Sequence, residues 1–138
     1  MNVPAPSIRD CICLILAAGK GSRMGTPKAL MISNQRPWWS LQLAQLDAAQ
    51  LASIWIVSPT VREAMEPRFP QTDTNTSQPA HQLITALNPN PAPLPMFASL
   101  LLGLESLALH PPAAIFVLPV DVPIPSPATF HALLQHAT

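Results

Sequence analysis

The chain has 138 residues, 49% of them hydrophobic and only 10% charged, and its seven cations balance seven acids for a formal net charge of zero. That length suits one domain with a real core and is short for two, and the balanced charge excludes nucleic-acid binding driven by a basic stripe. Mean hydropathy is +0.28, yet the longest apolar run, residues 11–18, falls far short of the roughly 20 residues that span a bilayer, so the expectation is a cytoplasmic protein with no membrane or nucleic-acid partner.

In chain order, residues 1–10 read as a loose N-terminal arm, with two prolines and no hydrophobic period, and residues 11–138 as a single domain. In the apolar run, Ile12, Leu14 and Leu16 alternate with Cys11, Cys13 and Ile15. Both faces are apolar, as in a central parallel strand covered by helices front and back. Cys11 and Cys13, the only cysteines, share one face of that strand, are poorly placed to bridge, and read as buried reduced thiols. The run then breaks into Gly19, Lys20, Gly21, Ser22, Arg23, Met24 and Gly25, with Lys28 shortly after. Three of the seven cations fall in this one loop. Its glycines let successive backbone N–H groups turn inward as a nest, and a nest rimmed by fixed positive charge suits a polyphosphate.

Residues 38–50 carry Trp39, Leu43 and Leu46 at helical spacing, with Gln42, Gln45 and Asp47 between them and Pro37 near the start, which predicts a helix. Residues 54–57 predict a second buried strand closed by Ser58-Pro59, and residues 61–66 a brief helix ended by Pro67. Residues 71–78 are polar and low in complexity, a surface loop, and residues 82–87 read as a short third strand. Prolines number 18 and crowd residues 89–95, which no long helix can cross. Beyond them residues 97–108 place Leu100, Leu101, Leu104 and Leu107 at helical spacing. Residues 114–118 predict a strand that delivers Asp121, and Ser126-Pro127 supplies a cap and first-turn proline for a helix through Phe130, Leu133 and Leu134. The four histidines, His81, His110, His131 and His136, read as surface or partly buried residues rather than ligands.

Alternating strands and helices with short connections predict an α/β fold, a three-layer sandwich with a mostly parallel, Rossmann-like central sheet. In such sheets ligands sit at the carboxyl ends of the strands. The first predicted strand ends there in the glycine and cation loop, and the fourth in Asp121. A dinucleotide fingerprint needs a third glycine where Met24 stands, and a P-loop needs a Gly-Lys-Ser/Thr ending that is absent. The remaining reading is nucleoside triphosphate binding.

The stretch Leu16-Ala-Ala-Gly-Lys-Gly-Ser-Arg-Met-Gly-Thr-Pro-Lys-Ala-Leu30 resembles the signature of the nucleotidyltransferase superfamily, matching at Gly19, Gly21, Arg23, Met24, Gly25, Pro27 and Lys28. It is most similar to the MobA-like NTP transferase family, the molybdenum-cofactor cytidylyltransferase and guanylyltransferase branch, whose fold is nucleoside-diphospho-sugar transferase-like. Asn88-Pro89 with Ser99-Leu100 and Gly103-Leu104, and Leu118-Pro-Val-Asp-Val-Pro123, fit the same branch. The pair Ala17-Ala18 favours CTP over GTP. The resemblance implies that Leu16, Ala17, Ala18, Gly19, Lys20, Gly21 and Ser22 wrap the triphosphate, that Arg23 and Lys28 neutralise it, that Asn88 and Ser99 lie against the base, and that Asp121 holds Mg²⁺. Arg23, Lys28 and Asp121 would then serve transfer of a nucleotidyl group, CMP, to a phosphorylated small-molecule acceptor such as molybdopterin, with release of pyrophosphate. Leu94-Pro-Met-Phe97 departs from the pattern, since relatives carry glycine and small residues before the serine. Trp38 and Trp39 offer stacking surfaces for a base or pterin, although aromatic residues at a helix start more often serve the core.

The resemblance also implies further strands, acceptor-binding residues and a second metal-binding acid, which relatives supply from a portion following the counterpart of Thr138. Residues 122–138 contain no Asp, Glu, Lys or Arg. The fold is accordingly expected to be incomplete at the C-terminus. Such a nucleotide-binding half would be feeble or inactive alone and would leave a sheet edge and apolar surface uncovered, favouring homo-oligomers. The alternative to the enzyme is a noncatalytic nucleotide-binding or assembly protein of the same fold.

Overall fold

In a computed structural model describing residues 7–18, 26–70, 80–86 and 96–136, β1 (Cys11–Ala17) lies between two parallel neighbours. Its sequence explains why: with no polar face to offer to water, it has to be covered on both sides. Cys11, Cys13, Ile15 and Ala17 point into one core, and Leu14 and Leu16 into a second on the opposite face. Both cysteines are free and buried, as expected.

A 3₁₀ turn (Lys28–Leu30) leads into a small hairpin of β2 (Ile32–Ser33) and β3 (Arg36–Pro37). Asn34 and Gln35 join them with φ of 52° and 66°, the left-handed pair that a two-residue hairpin turn requires. Next come α1 (Trp38–Ala48), β4 (Ala52–Val57), α2 (Pro59–Met65), β5 (His81–Thr85), α3 (Met96–Ser106), β6 (Ala114–Pro119) and α4 (Pro127–His136). The four main strands are parallel and ordered β5-β4-β1-β6. Residues of α1, α2 and α4, among them Trp39, Leu46, Val61, Met65, Phe130 and Leu134, fill the first core, and Leu107, beyond the end of α3, together with half-buried Leu100 and Leu102 of α3, fills the second. Gly103 lets α3 approach β1 closely, since a Cβ there would lie 3.0 Å from a methyl of Leu14. The expected α/β sandwich is therefore the observed one.

Several boundaries differ from the sequence reading. Ile8–Asp10, inside the segment read as a loose arm, form a 3₁₀ turn whose Ile8 is buried against the first core. Helix α2 begins two residues before the expected start: Ser58 Oγ accepts from the Val61 N–H at 3.2 Å and Pro59 occupies the first turn, so the pair that closes the strand also opens the helix. Strand β5 starts at His81, not Gln82, because His81 is buried and pairs in register with Ser53. The expected loop 71–78 and the C-terminal end of the expected third strand lie outside the described residues. Among the described residues β6 has a strand on one side only, and no helix is long and apolar enough to cross a membrane.

Candidate functional site

The order of the strands selects the place. The chain runs outward from β1 to β4 to β5, then returns across the sheet to lay β6 on the other side of β1. Where that direction reverses, the loops leaving adjacent strands diverge and open a crevice at the carboxyl edge. In this sheet the reversal falls between β1 and β6. The register pairs Leu16 with Pro119, and the Val120 N–H continues the ladder by donating to the Leu16 carbonyl at 3.0 Å. The turn carrying Asp121 and Ala18, the residue that follows β1, thus lie at the same end of neighbouring strands.

Asp121 sits in a tight turn closed by the Val122 N–H donating to the Pro119 carbonyl at 3.1 Å. Its side chain is exposed and makes no ion pair among the described residues. Helix α1 braces this turn. The Trp38 indole Nε1 donates to the Val120 carbonyl at 2.7 Å, and Gln42 Nε2 donates to the Val120 and Val122 carbonyls at 3.0 and 2.9 Å. Lys28 Nζ stands 4.6 Å from the Trp38 ring centroid, a cation–π contact. Trp38 therefore links the cation to the carboxylate-bearing turn.

Of the residues singled out in the sequence, Leu16, Ala17, Ala18, Lys28, Ser99 and Asp121 are described. The structure brings Lys28 and Asp121 to the same edge as the end of β1. Leu16 and Ala17 are buried and their side chains belong to the two cores, which leaves only their backbone for a ligand. Ser99 is buried on α3 at 2% exposure. Gly19, Lys20, Gly21, Ser22, Arg23 and Asn88 lie outside the described residues. So do Met24 and Gly25.

Two features escape the sequence reading. Gln42 reads as part of the polar side of α1, yet it is 1% exposed. The signal is present: Trp39, Gln42, Leu43 and Leu46 follow the i, i+3, i+4, i+7 pattern of a buried stripe. His81, read as surface or partly buried, is buried at the opposite end of the sheet, with Nδ1 2.6 Å from Ser53 Oγ and Nε2 2.7 Å from Asp47 Oδ1.

Among the described residues no group of three or more His, Cys, Asp or Glu is arranged to hold a metal. Asp121, the described carboxylate at this edge, suits a hard dication that keeps most of its waters, as Mg²⁺ does. A cleft of about 370 Å³ beside Arg36, Ser40, Asp47 and Arg68 takes in neither Lys28 nor Asp121.

A family model described as MobA-like NTP transferase domain matches residues 13–138. Thirteen solved chains match this chain, among them the crystal structure of Rv0371c from Mycobacterium tuberculosis H37Rv, at a TM-score of 0.68 and 20% identity. That match covers 97% of this chain, which spans 61% of the length of Rv0371c. No curated protein matches significantly by sequence.

Proposed function

Starting from the chain's membership of the MobA-like NTP transferase domain family, we propose that it binds a nucleoside triphosphate with Mg²⁺ and transfers a nucleotidyl group, CMP from CTP in preference to GMP from GTP, to a phosphorylated acceptor such as molybdopterin. The observation that carries this reading is the meeting of Lys28, the Asp121 turn and the exit of β1 at the one edge where the chain reverses direction.

In such a transfer an acceptor phosphate oxygen attacks the α-phosphorus and pyrophosphate leaves, so the protein's task is to position the groups and stabilise charge. Backbone N–H groups of the loop after Ala18 bind phosphate oxygens, and Arg23 and Lys28 offset the charge that gathers on the departing pyrophosphate. Lys28, resting on the Trp38 face, is held ready at the edge and has little freedom to lose on binding. Asp121 is the described residue that would hold Mg²⁺, and the ion would supply Lewis-acid stabilisation of the phosphate charge. Asn88 and Ser99 are the residues assigned to the base, Ser99 from a buried position on α3.

The test is titration of CTP, GTP, ATP and UTP with Mg²⁺, followed by pyrophosphate release with molybdopterin and other phosphorylated acceptors. The reading predicts Mg²⁺-dependent binding with CTP preferred, and pyrophosphate release that needs an acceptor. Binding without turnover favours the noncatalytic nucleotide-binding protein, and absence of binding to all four nucleotides overturns both.

A further inference from the structure

We propose that Gln42 and Trp38 are positioning residues that set the affinity of the Asp121 carboxylate for magnesium; this rests on the reading of Asp121 as the metal-binding acid. The turn bearing Asp121 is fixed on one side by β1 and β6, through the Val120 and Val122 N–H groups. Its carbonyls face the other way, and α1 takes them. Val120 O receives both Trp38 Nε1 and Gln42 Nε2, and Val122 O receives Gln42 Nε2 as well. The two side chains are four residues apart, one helical turn, so they act from the same face of α1. The carbonyls of the two residues flanking Asp121 are thereby clamped, while its side chain stays open to solvent.

Gln42 carries a second mark of this role. Its Oε1 is buried and has no hydrogen-bond partner. An unpaired buried acceptor is costly, and a side chain needed only to fill that space would serve better as Met or Leu. What Gln adds over them is the pair of donors at Nε2. Trp38 shows the same economy: its ring supports Lys28 and its N–H holds Val120, so cation and carboxylate keep a fixed relation through one residue.

The experiment uses the whole chain, with CTP as probe nucleotide and Mn²⁺ as a second metal probe. Trp38→Phe keeps a ring under Lys28 and removes only the indole donor, and Gln42→Met keeps volume and removes both donors. Asp121→Asn is the reference. Three quantities are read: the Mg²⁺ concentration at half-maximal CTP binding, CTP affinity in the presence of a chelator, and Mn²⁺ binding by electron paramagnetic resonance. Groups behind a metal ligand typically change metal affinity by about 10–100-fold when removed. Each variant is therefore expected to raise the Mg²⁺ half-point and weaken Mn²⁺ by at least about 10-fold, Gln42→Met with chelator-condition CTP affinity within about twofold of the native value; Asp121→Asn abolishes the metal dependence. If Asp121→Asn does so while Gln42→Met and Trp38→Phe leave the half-point unchanged, or weaken CTP equally with and without metal, the positioning role is refuted and the reading of Asp121 stands. If Asp121→Asn leaves the metal dependence intact, or the native chain shows none, both fall. Should Gln42→Met fail to fold, Trp38→Phe decides alone.

Discussion

Replacing Ser53 by Ala strands two buried polar groups at the end of the sheet remote from Asp121. Trp55 Nε1 donates to Ser53 Oγ at 2.8 Å, and Ser53 Oγ lies 2.6 Å from His81 Nδ1. Indole N–H is only a donor, so the serine accepts from Trp55, and an ionised carboxylate only accepts, so Asp47 decides which nitrogen of His81 carries the proton. In the neutral imidazole the proton sits on Nε2, directed at Asp47 Oδ1 2.7 Å away, and Nδ1 accepts from the serine hydroxyl. One hydroxyl thus joins the indole to the imidazole. In Ser53→Ala the Trp55 N–H loses its acceptor and His81 Nδ1 its donor, with Trp55, Ser53 and His81 at 0%, 1% and 5% exposure. A buried polar group left unpaired costs about 1–3 kcal/mol, so two place the loss at about 2–6 kcal/mol, against a total stability on the order of 5–15 kcal/mol. Urea unfolding followed by circular dichroism measures it, and a cycle with Trp55→Phe isolates the coupling, expected at about 1–2 kcal/mol. A Ser53→Ala loss below about 0.5 kcal/mol, or a cycle that closes additively, would refute the network's place in stability.

Helix α1 ends with Gln50 at φ 58°, the Leu51 N–H on the Leu46 carbonyl at 3.0 Å and the Gln50 N–H on the Asp47 carbonyl at 3.0 Å. Glycine is the residue suited to that left-handed position, so Gln50→Gly is expected to raise stability by about 0.5–1 kcal/mol in urea unfolding; a loss would contradict the cap assignment. Burial pushes the Cys13 thiol up from 9.0 to about 12. The folded value exceeds the unfolded one, so the contribution is whole below about pH 9 and disappears as pH rises toward about 12, at about 1.4 kcal/mol per pH unit. Unfolding midpoints between pH 8 and pH 10.5 should fall less steeply in Cys13→Ala than in the native chain, and equal slopes would show that Cys13 is not the group responsible.

The elements legible in the sequence are those whose physics is local. Strand β1 declares itself by being apolar on both faces, α1 by its stripe, and α4 by Ser126 and Pro127. The carboxyl-edge position of Asp121 follows from the same logic, because a buried strand just before an acid leaves little choice of where the acid emerges. What stays hidden depends on pairing at a distance. The hairpin at Ile32–Ser33 and Arg36–Pro37 has two-residue strands and a turn of Asn34-Gln35 without glycine, so neither periodicity nor turn chemistry announces it. His81 is buried because Ser53 and Asp47, 28 and 34 residues away, satisfy its ring. Gln42 passes for a surface residue because it is polar, although its helical position is that of a core residue, and its partners Val120 and Val122 lie 78 and 80 residues further on.

The proposed function requires a triphosphate to lie across the edge between β1 and β6. Backbone amide shifts of the ¹⁵N-labelled chain, recorded while CTP and Mg²⁺ are added, test it most directly. Changes are expected to concentrate at Leu16 to Ala18, Lys28, and Val120 to Val122. Changes gathered instead around Arg36, Ser40, Asp47 and Arg68, the residues beside the separate cleft, with the β1 and β6 ends unmoved, would contradict it.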